Sequence, residues 1–398
     1  MGKSKFYFKG LNGLRFFAAF LVLIYHLEQI RIKYELPNLS SYSFFNNGDI
    51  AVEFFFVLSG FLITYLLLEE HNFTGKISIK DFYVRRILRI WPLYYIILFI
   101  GLLLIPIAMK ILGIEYSFPF PLGQASTLFI LFLPNLVFSI WPSNFLIPLW
   151  SIGVEEQFYA IWAPLVKLFY KYIIYLFVAI ILLRFCFYGY YFNYDKSIES
   201  TYSVFLKWIN TLKFESMSIG GMGAYIFYKK ADKLRTSIVF DKKIQVLLFM
   251  ILGLRIFFHI SLDEGNQLYN ITYRLIFEGW YSTIFSSVLF LWLILNVSIN
   301  PKSLINTEFK ILNFLGNISY GIYMYHGIVI LILMILIKGR LKNFSLFTST
   351  FIVYVLAVGL TILISHLSYK YIESLFLKLK KKFEFNSKLK LELKEQVQ

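Results

Sequence analysis

Two adjacent carboxylates, Glu155 and Glu156, stand about one turn into an apolar run that opens Leu149-Trp150-Ser151. Paired acids at membrane depth are costly and are hard to explain as packing. A histidine, His26, lies in another apolar run, eleven residues after Arg15. At about 100° per residue that spacing puts Arg15 and His26 on one helix face, roughly 16 Å apart along the axis. An imidazole and a carboxylate at one depth are the minimum set for general-base chemistry, the carboxylate stabilising the imidazolium. His26, Glu155 and Glu156 are therefore the candidate catalytic residues. Only one of the two glutamates can aim at His26, because neighbours on a helix point about 100° apart.

A second constellation suits anions. In Asp81-Phe82-Tyr83-Val84-Arg85-Arg86-Ile87-Leu88-Arg89-Ile90-Trp91-Pro92, Arg85 and Arg89 are four apart and Arg86 and Arg89 three apart. All three guanidiniums can serve one compact anion, and guanidinium matches phosphate bidentately. Ser319, Tyr323 and His326 follow a helical i, i+4, i+7 stripe. With Ser59 and Trp150, Tyr323 and His326 are the candidate substrate-facing residues of a polar cavity shared by several spans. Plainer readings exist for the same residues. Arg15 can snorkel to an interface, His26 can make an ordinary inter-helix hydrogen bond, one glutamate can pair with an arginine, and the arginines fit a plain cytoplasmic charge cluster. Small Ser59-Gly60 at mid-span marks close helix packing. Five scattered histidines (26, 71, 259, 326 and 366) offer no metal site, and no phosphate loop, dinucleotide fingerprint or His-Glu-x-x-His occurs.

The elements that carry these residues must be membrane helices. Apolar types make up 58% of the 398 residues and charged types 16%, against about 25% charged in a soluble domain. Mean hydropathy is +0.66. No globule of this size could hide so much apolar surface. The net charge of +16 falls in loops between apolar runs, where cytoplasmic bias and anionic lipid explain it better than nucleic acid. The single cysteine, Cys186, excludes disulfides.

Apolar runs at roughly 11–30, 50–69, 90–112, 150–168, 172–192, 214–229, 244–260, 275–298, 311–337 and 345–369 predict about ten spans. The first follows Lys3, Lys5 and Lys9, lacks a cleavage site and reads as uncleaved. Basic stretches before residue 11, at 72–91, at 229–243 and from Lys370 onward are predicted cytoplasmic. An even number of crossings between the second and third then makes the proline-broken run at 122–145 a re-entrant or surface-lying segment. Lys338, Arg340 and Lys342 are left on the outer side, against the rule. The expected fold is an all-α polytopic bundle around a central polar cavity, both termini cytoplasmic, with one passage joining the arginines to His26. Its membrane domain spans 1–375 and a basic cytoplasmic tail 376–398, the tail facing the membrane surface. No internal repeat supports a transporter of the inverted-repeat type.

Together these motifs resemble the membrane acyltransferase-3 family of integral-membrane sugar and lipid O-acyltransferases. The resemblance rests on Asn12-Gly13-Leu14-Arg15 with His26, Phe55-Phe56-Val57-Leu58-Ser59-Gly60-Phe61, Tyr83 to Pro92, Leu149-Trp150-Ser151 with Glu155-Glu156-Gln157-Phe158-Tyr159, and Ile318-Ser319-Tyr320-Gly321-Ile322-Tyr323 with His326. Each is weak alone; five in order are specific. The resemblance implies acetyl-CoA or another acyl-CoA as donor on the cytoplasmic side, no metal, and a hydroxyl of a cell-surface glycan or lipid-linked sugar as acceptor. It implies a multi-pass enzyme of the cell membrane, in contact with membrane lipids and no nucleic acid. His26 is similar to the catalytic histidine, which either deprotonates the acceptor hydroxyl or takes the acyl group itself with Glu155 or Glu156 assisting, and Arg15 to its partner in the Arg-x10-His motif. Arg85 and Arg89 are similar to the Arg-x-x-Arg-type donor element, with Arg86 beside them, and Arg15 would line the donor's path. Glu155 or Glu156 is similar to the acidic residue of the fourth span. Some members carry an esterase-like domain after the last span; none is expected here. A non-enzymatic glycan or lipid translocator with a polar central cavity is the competing reading, and a plain structural scaffold is disfavoured by the buried glutamates.

Overall fold

The structure is a computed structural model that describes residues 7–194, 200–257 and 279–384. Every regular element among the described residues is helical. In chain order the helices are α1 (Leu11–Lys33), α2 (Gly48–Thr74), α3 (Ile79–Phe99), α4 (Ile105–Ile111), α5 (Leu122–Ile130), α6 (Pro134–Ile140), α7 (Leu149–Leu168) and α8 (Ile173–Asn193). They continue with α9 (Thr201–Thr211), α10 (Phe214–Arg235), α11 (Lys242–Phe257), α12 (Gly279–Ile299), α13 (Lys310–Asn317), α14 (Ser319–Leu341), α15 (Leu346–Ser368) and α16 (Ser374–Lys380).

Among the described residues, seven helical stretches are long and apolar enough to cross a membrane. The protein is thus a multi-pass membrane bundle, and the ten predicted runs resolve into two kinds. The three that fall outside the seven are α7, α10 and α11. Helix α7 carries Glu155 and Glu156, and α10 carries Glu215 among serines and glycines. Helices that wall a polar interior need less apolar surface than lipid-facing ones. Helix α11 is described only as far as Phe257, so the end of the 244–260 run, the start of the 275–298 run and the tail beyond residue 384 lie outside the described residues. The 122–145 run forms no crossing: α5 has 9 residues and α6 has 7, parted at Phe132, whose φ is +58°. Pro134 starts α6 at a position where its missing N–H costs nothing.

Local chemistry sets the helix ends. Gly75, with φ of +70°, terminates α2 in the left-handed cap that glycine adopts without strain. Ser78 caps α3 by accepting from the Asp81 amide. Between α3 and α4 the chain passes through a wide π turn, Ile100–Leu104, just before Pro106. The ring of Pro106 would meet the carbonyl four residues back in a regular helix, and the wide turn relieves it. Helix α2 is the buried centre, packed against α1, α7, α10 and α12. Buried ion pairs tie neighbours: Glu28 takes Arg31 (2.8 Å) and Tyr354 (2.7 Å), joining α1 to α15. Glu215 takes Arg184 (2.7 Å) and Tyr188 (2.9 Å), joining α8 to α10.

The start of α1 is clamped by the loop before α13. Thr307 donates to the Gly10 carbonyl (2.7 Å), and the Gly10 amide donates to Glu308. Partial burial works against the Glu308 carboxylate, but the donors Gly10, Tyr7 and Asn313 outweigh it and hold its pKa below the usual range. This clamp fixes the end of α1 from which Arg15 projects.

Candidate active site

Two cavities lie end to end along α1. The first, of about 290 Å³, contains Arg15 together with Arg86 and Arg89 of α3, Lys380 at the end of α16, and Glu155 of α7. Four cations against one carboxylate make it strongly electropositive. Arg86 lies over the rings of Phe82 and Tyr159, 5.8 Å from each centroid, and its buried Nε has no acceptor among the described residues. The site fits a polyanion with a narrow apolar arm, since Leu58, Leu62 and Ile152 complete its wall.

Arg85 does not join them. It is buried, donates to Glu70 (2.6 Å) and to the Phe383 carbonyl (2.8 Å), and is absent from the cavity wall. Of the expected trio only Arg86 and Arg89, three positions apart, reach the cavity, while Arg85 turns to hold Glu70 and the Phe383 carbonyl. Lys380 enters instead, from a segment that the sequence reading assigned to the tail. The boundary expected at 375/376 falls inside α16, which packs on α3.

The glutamates also part company. Glu155 faces the electropositive cavity and accepts from Ser59 (2.9 Å) and Tyr159 (2.7 Å). Glu156 turns away, accepts from the Trp91 indole (2.9 Å), and leaves its buried Oε1 without a partner among the described residues. Their 100° divergence on α7 produces the split.

The second cavity, of about 640 Å³, is lined by His26, Asp49, Glu115, Trp150 and Lys338. It shares no lining residue with the first. Tyr323 stands at the division: its hydroxyl meets the Ser151 hydroxyl (2.7 Å), and its ring packs edge-on to Phe55 and His326. In place of the single open passage expected from Arg15 to His26 the structure has two separate cavities, with the aromatic contacts of Tyr323 between them.

His26 pairs with a histidine, and the expected hydrogen bond to Glu155 or Glu156 is not made. Its Nδ1 lies 2.9 Å from Nε2 of His326, and Nδ1 of His326 lies 3.3 Å from the Ile322 carbonyl. A carbonyl only accepts, so the hydrogen of neutral His326 sits on Nδ1 and its Nε2 accepts. His26 then donates from Nδ1, which leaves the Nε2 lone pair of His26 free to take a proton. Asp49 and Glu115 are the carboxylates on this cavity's wall, and the sequence analysis singled out neither; Asp49 sits in the first turn of α2, where the helix dipole alone favours an acid. Among the described residues no group of three or more metal-ligating side chains occurs.

The profile of a family described as an acyltransferase domain matches residues 8–370. A Staphylococcus aureus (strain COL) protein provisionally named an O-acetyltransferase is 28% identical over 393 residues, covering 94% of this chain and 58% of its own length. The O-acetyltransferase OatA of S. aureus (strain NCTC 8325) is 27% identical over 384 residues, 92% of this chain and 57% of its own. The chain thus spans a little over half the length of these curated relatives. No solved structure matches. With a family profile covering nearly its whole length, the chain belongs to the acyltransferase-3 family.

Proposed function

We propose that the protein is a membrane O-acyltransferase, moving an acyl group, acetyl by analogy with the relatives' names, from cytoplasmic acyl-CoA to a hydroxyl of a cell-surface glycan or lipid-linked sugar. The observation that carries this reading is the pairing of a cationic cavity on one side of an aromatic layer with a free imidazole nitrogen on the other. Lys/Arg-rich helix ends support a cytoplasmic side for the cationic cavity and an outward position for His26. Both termini are then cytoplasmic. An acyl-CoA would supply the activated thioester. Arg15, Arg86, Arg89 and Lys380 hold its phosphates, and Tyr323 with Phe55 keeps outer water from that chamber. The donor's thioester passes Tyr323 to meet the acceptor, and Nε2 of His26 takes the proton of the acceptor hydroxyl while His326 holds the ring in the tautomer that leaves Nε2 open. The hydroxyl oxygen bonds the acyl carbon, the carbon–sulfur bond breaks, and the proton passes to the departing CoA thiolate.

Proteoliposomes given labelled acetyl-CoA and a soluble sugar acceptor test this directly. Acceptor-dependent release of CoA with label on the sugar is expected; transport of the sugar without CoA release would refute it and favour a translocator. The arginines give a sharper signature. Arg86→Gln or Arg89→Gln should each raise KM for the donor about tenfold with little change in kcat, the size of one lost charge-assisted hydrogen bond. Arg85→Gln should leave donor KM near wild type but lower the melting temperature, because Glu70 is left buried and unpaired at a cost of about 3–5 kcal/mol. Equal effects of all three on KM would contradict the assignment.

A further inference from the structure

Beside the His26 cavity lies a third chamber of about 490 Å³ that the chemistry above does not use. The two share Asp49, Ile147 and Trp150 as a common wall. Polar side chains from α2, α6, α9, α11 and α12 share the chamber's lining with a somewhat larger apolar surface. That composition is expensive inside a membrane bundle unless something hydrogen-bonds to it.

The unmatched atoms indicate what that something is. Glu53 Oε2 and Asn210 Oδ1 are buried and find no donor among the described residues. Both call for a hydrogen-bond donor that the described residues do not supply. A hydroxyl supplies one; a phosphate or carboxylate does not. Charge points the same way. Among the described residues, Asp49 and Glu53 face Lys213 and Arg255 across the chamber, two acids against two bases, so the described wall carries no excess charge to attract an ion. The cations are already engaged, Lys213 with Thr283 (3.5 Å) and Arg255 with Ser282 (2.9 Å). Trp150 and Phe138 add apolar faces of the kind that pack on the C–H side of a ring.

We infer that this chamber is a subsite for a neutral, hydroxyl-rich saccharide unit, the neighbour of the unit whose hydroxyl reaches His26. The inference rests on the acyltransferase reading for the identity of the acceptor, but the chamber's preference for neutral sugar stands on its lining alone. It makes the protein an enzyme for oligomeric acceptors, reading at least two linked units.

The test uses the full-length protein in lipid nanodiscs, with a neutral N-acetylglucosamine disaccharide, the matching monosaccharide and an anionic uronic-acid disaccharide as probes. Calorimetric titration should show the neutral disaccharide bound at least tenfold more tightly than either comparison sugar. Glu53→Gln and, separately, Asn210→Leu should remove that advantage while donor binding and melting temperature stay at wild-type values. No binding of the neutral disaccharide, tighter binding of the anionic one, or an unchanged advantage in both variants would overturn the inference. Failure of the two readings is distinguishable. Sugar binding without any acyl transfer sinks the enzyme and leaves the chamber, whereas transfer to monosaccharide and disaccharide alike sinks the chamber and leaves the enzyme.

Discussion

Replacing His26 by alanine should give a protein that inserts, extracts and melts like wild type but has lost acyl transfer by about 10²–10⁴-fold, the usual contribution of a positioned general base. The loss should sit in kcat, because the proposed donor site, with Arg86 and Arg89, lies in the other cavity, beyond Tyr323. The His26–His326 contact sharpens the test. His326→Gln retains a side-chain oxygen that can accept from Nδ1 of His26, whereas His326→Phe removes the acceptor and frees the ring to flip or change tautomer. Activity should therefore order wild type, His326→Gln, His326→Phe, His26→Ala. His326 is fully buried, so a purely structural role would make the two His326 variants equally unstable and equally impaired. Transfer at wild-type rates by His26→Ala would remove the imidazole from the mechanism altogether, and equal activity of the two His326 variants at equal stability would remove the tautomer argument.

The comparison of sequence with structure follows from what spacing can and cannot encode. Ser59, Glu155 and Tyr323 were legible as residues of a polar interior, and Arg15, Arg86 and Arg89 as its cationic mouth, because buried polar groups demand a shared interior. Glu155, expected at the depth of His26, stands instead in the cavity of the arginines. Arg85 was read into the same set, since positions 85, 86 and 89 all lie within one helical face by spacing alone. What decided between them was Glu70 on α2 and the Phe383 carbonyl, one fifteen residues away and the other almost three hundred. The His26–His326 bond likewise joins residues 300 apart, so a carboxylate, the commoner partner, was expected in its place. Lys380 was hidden by its setting in a lysine run that looks like any membrane-surface tail. The bundle itself was plain from hydropathy. Its span count was not, because α7 and α10 present polar side chains to the interior, and an averaged hydropathy cannot tell a wall of a cavity from a weak span.

Gly60→Ala should be the most damaging small substitution in the bundle. A Cβ at Gly60 would lie 1.9 Å from the Met217 carbonyl oxygen, and one at Gly220 would lie 2.0 Å from the Val57 carbonyl oxygen. The two glycines face each other across α2 and α10, so these helices touch backbone to backbone. In a membrane, where lipid tails are as apolar as leucine, such close approach is what holds helices together. The obstructing atoms are backbone, and no rotamer change can move them aside. The helices must separate, at a cost of about 3 kcal/mol or more, the upper end for overpacking. Separation would also shift Ser59, the next residue, away from Glu155 and so disturb the cationic cavity. The expected result is a large drop in monodisperse protein after detergent extraction, with residual activity well below the residual folded fraction. Gly359 in α15 is the control: nothing lies within 4 Å of its would-be Cβ, and Gly359→Ala should be neutral or slightly stabilising. If Gly60→Ala extracts and melts as Gly359→Ala does, α2 and α10 are not packed this closely and the placement of Ser59 against Glu155 falls with them.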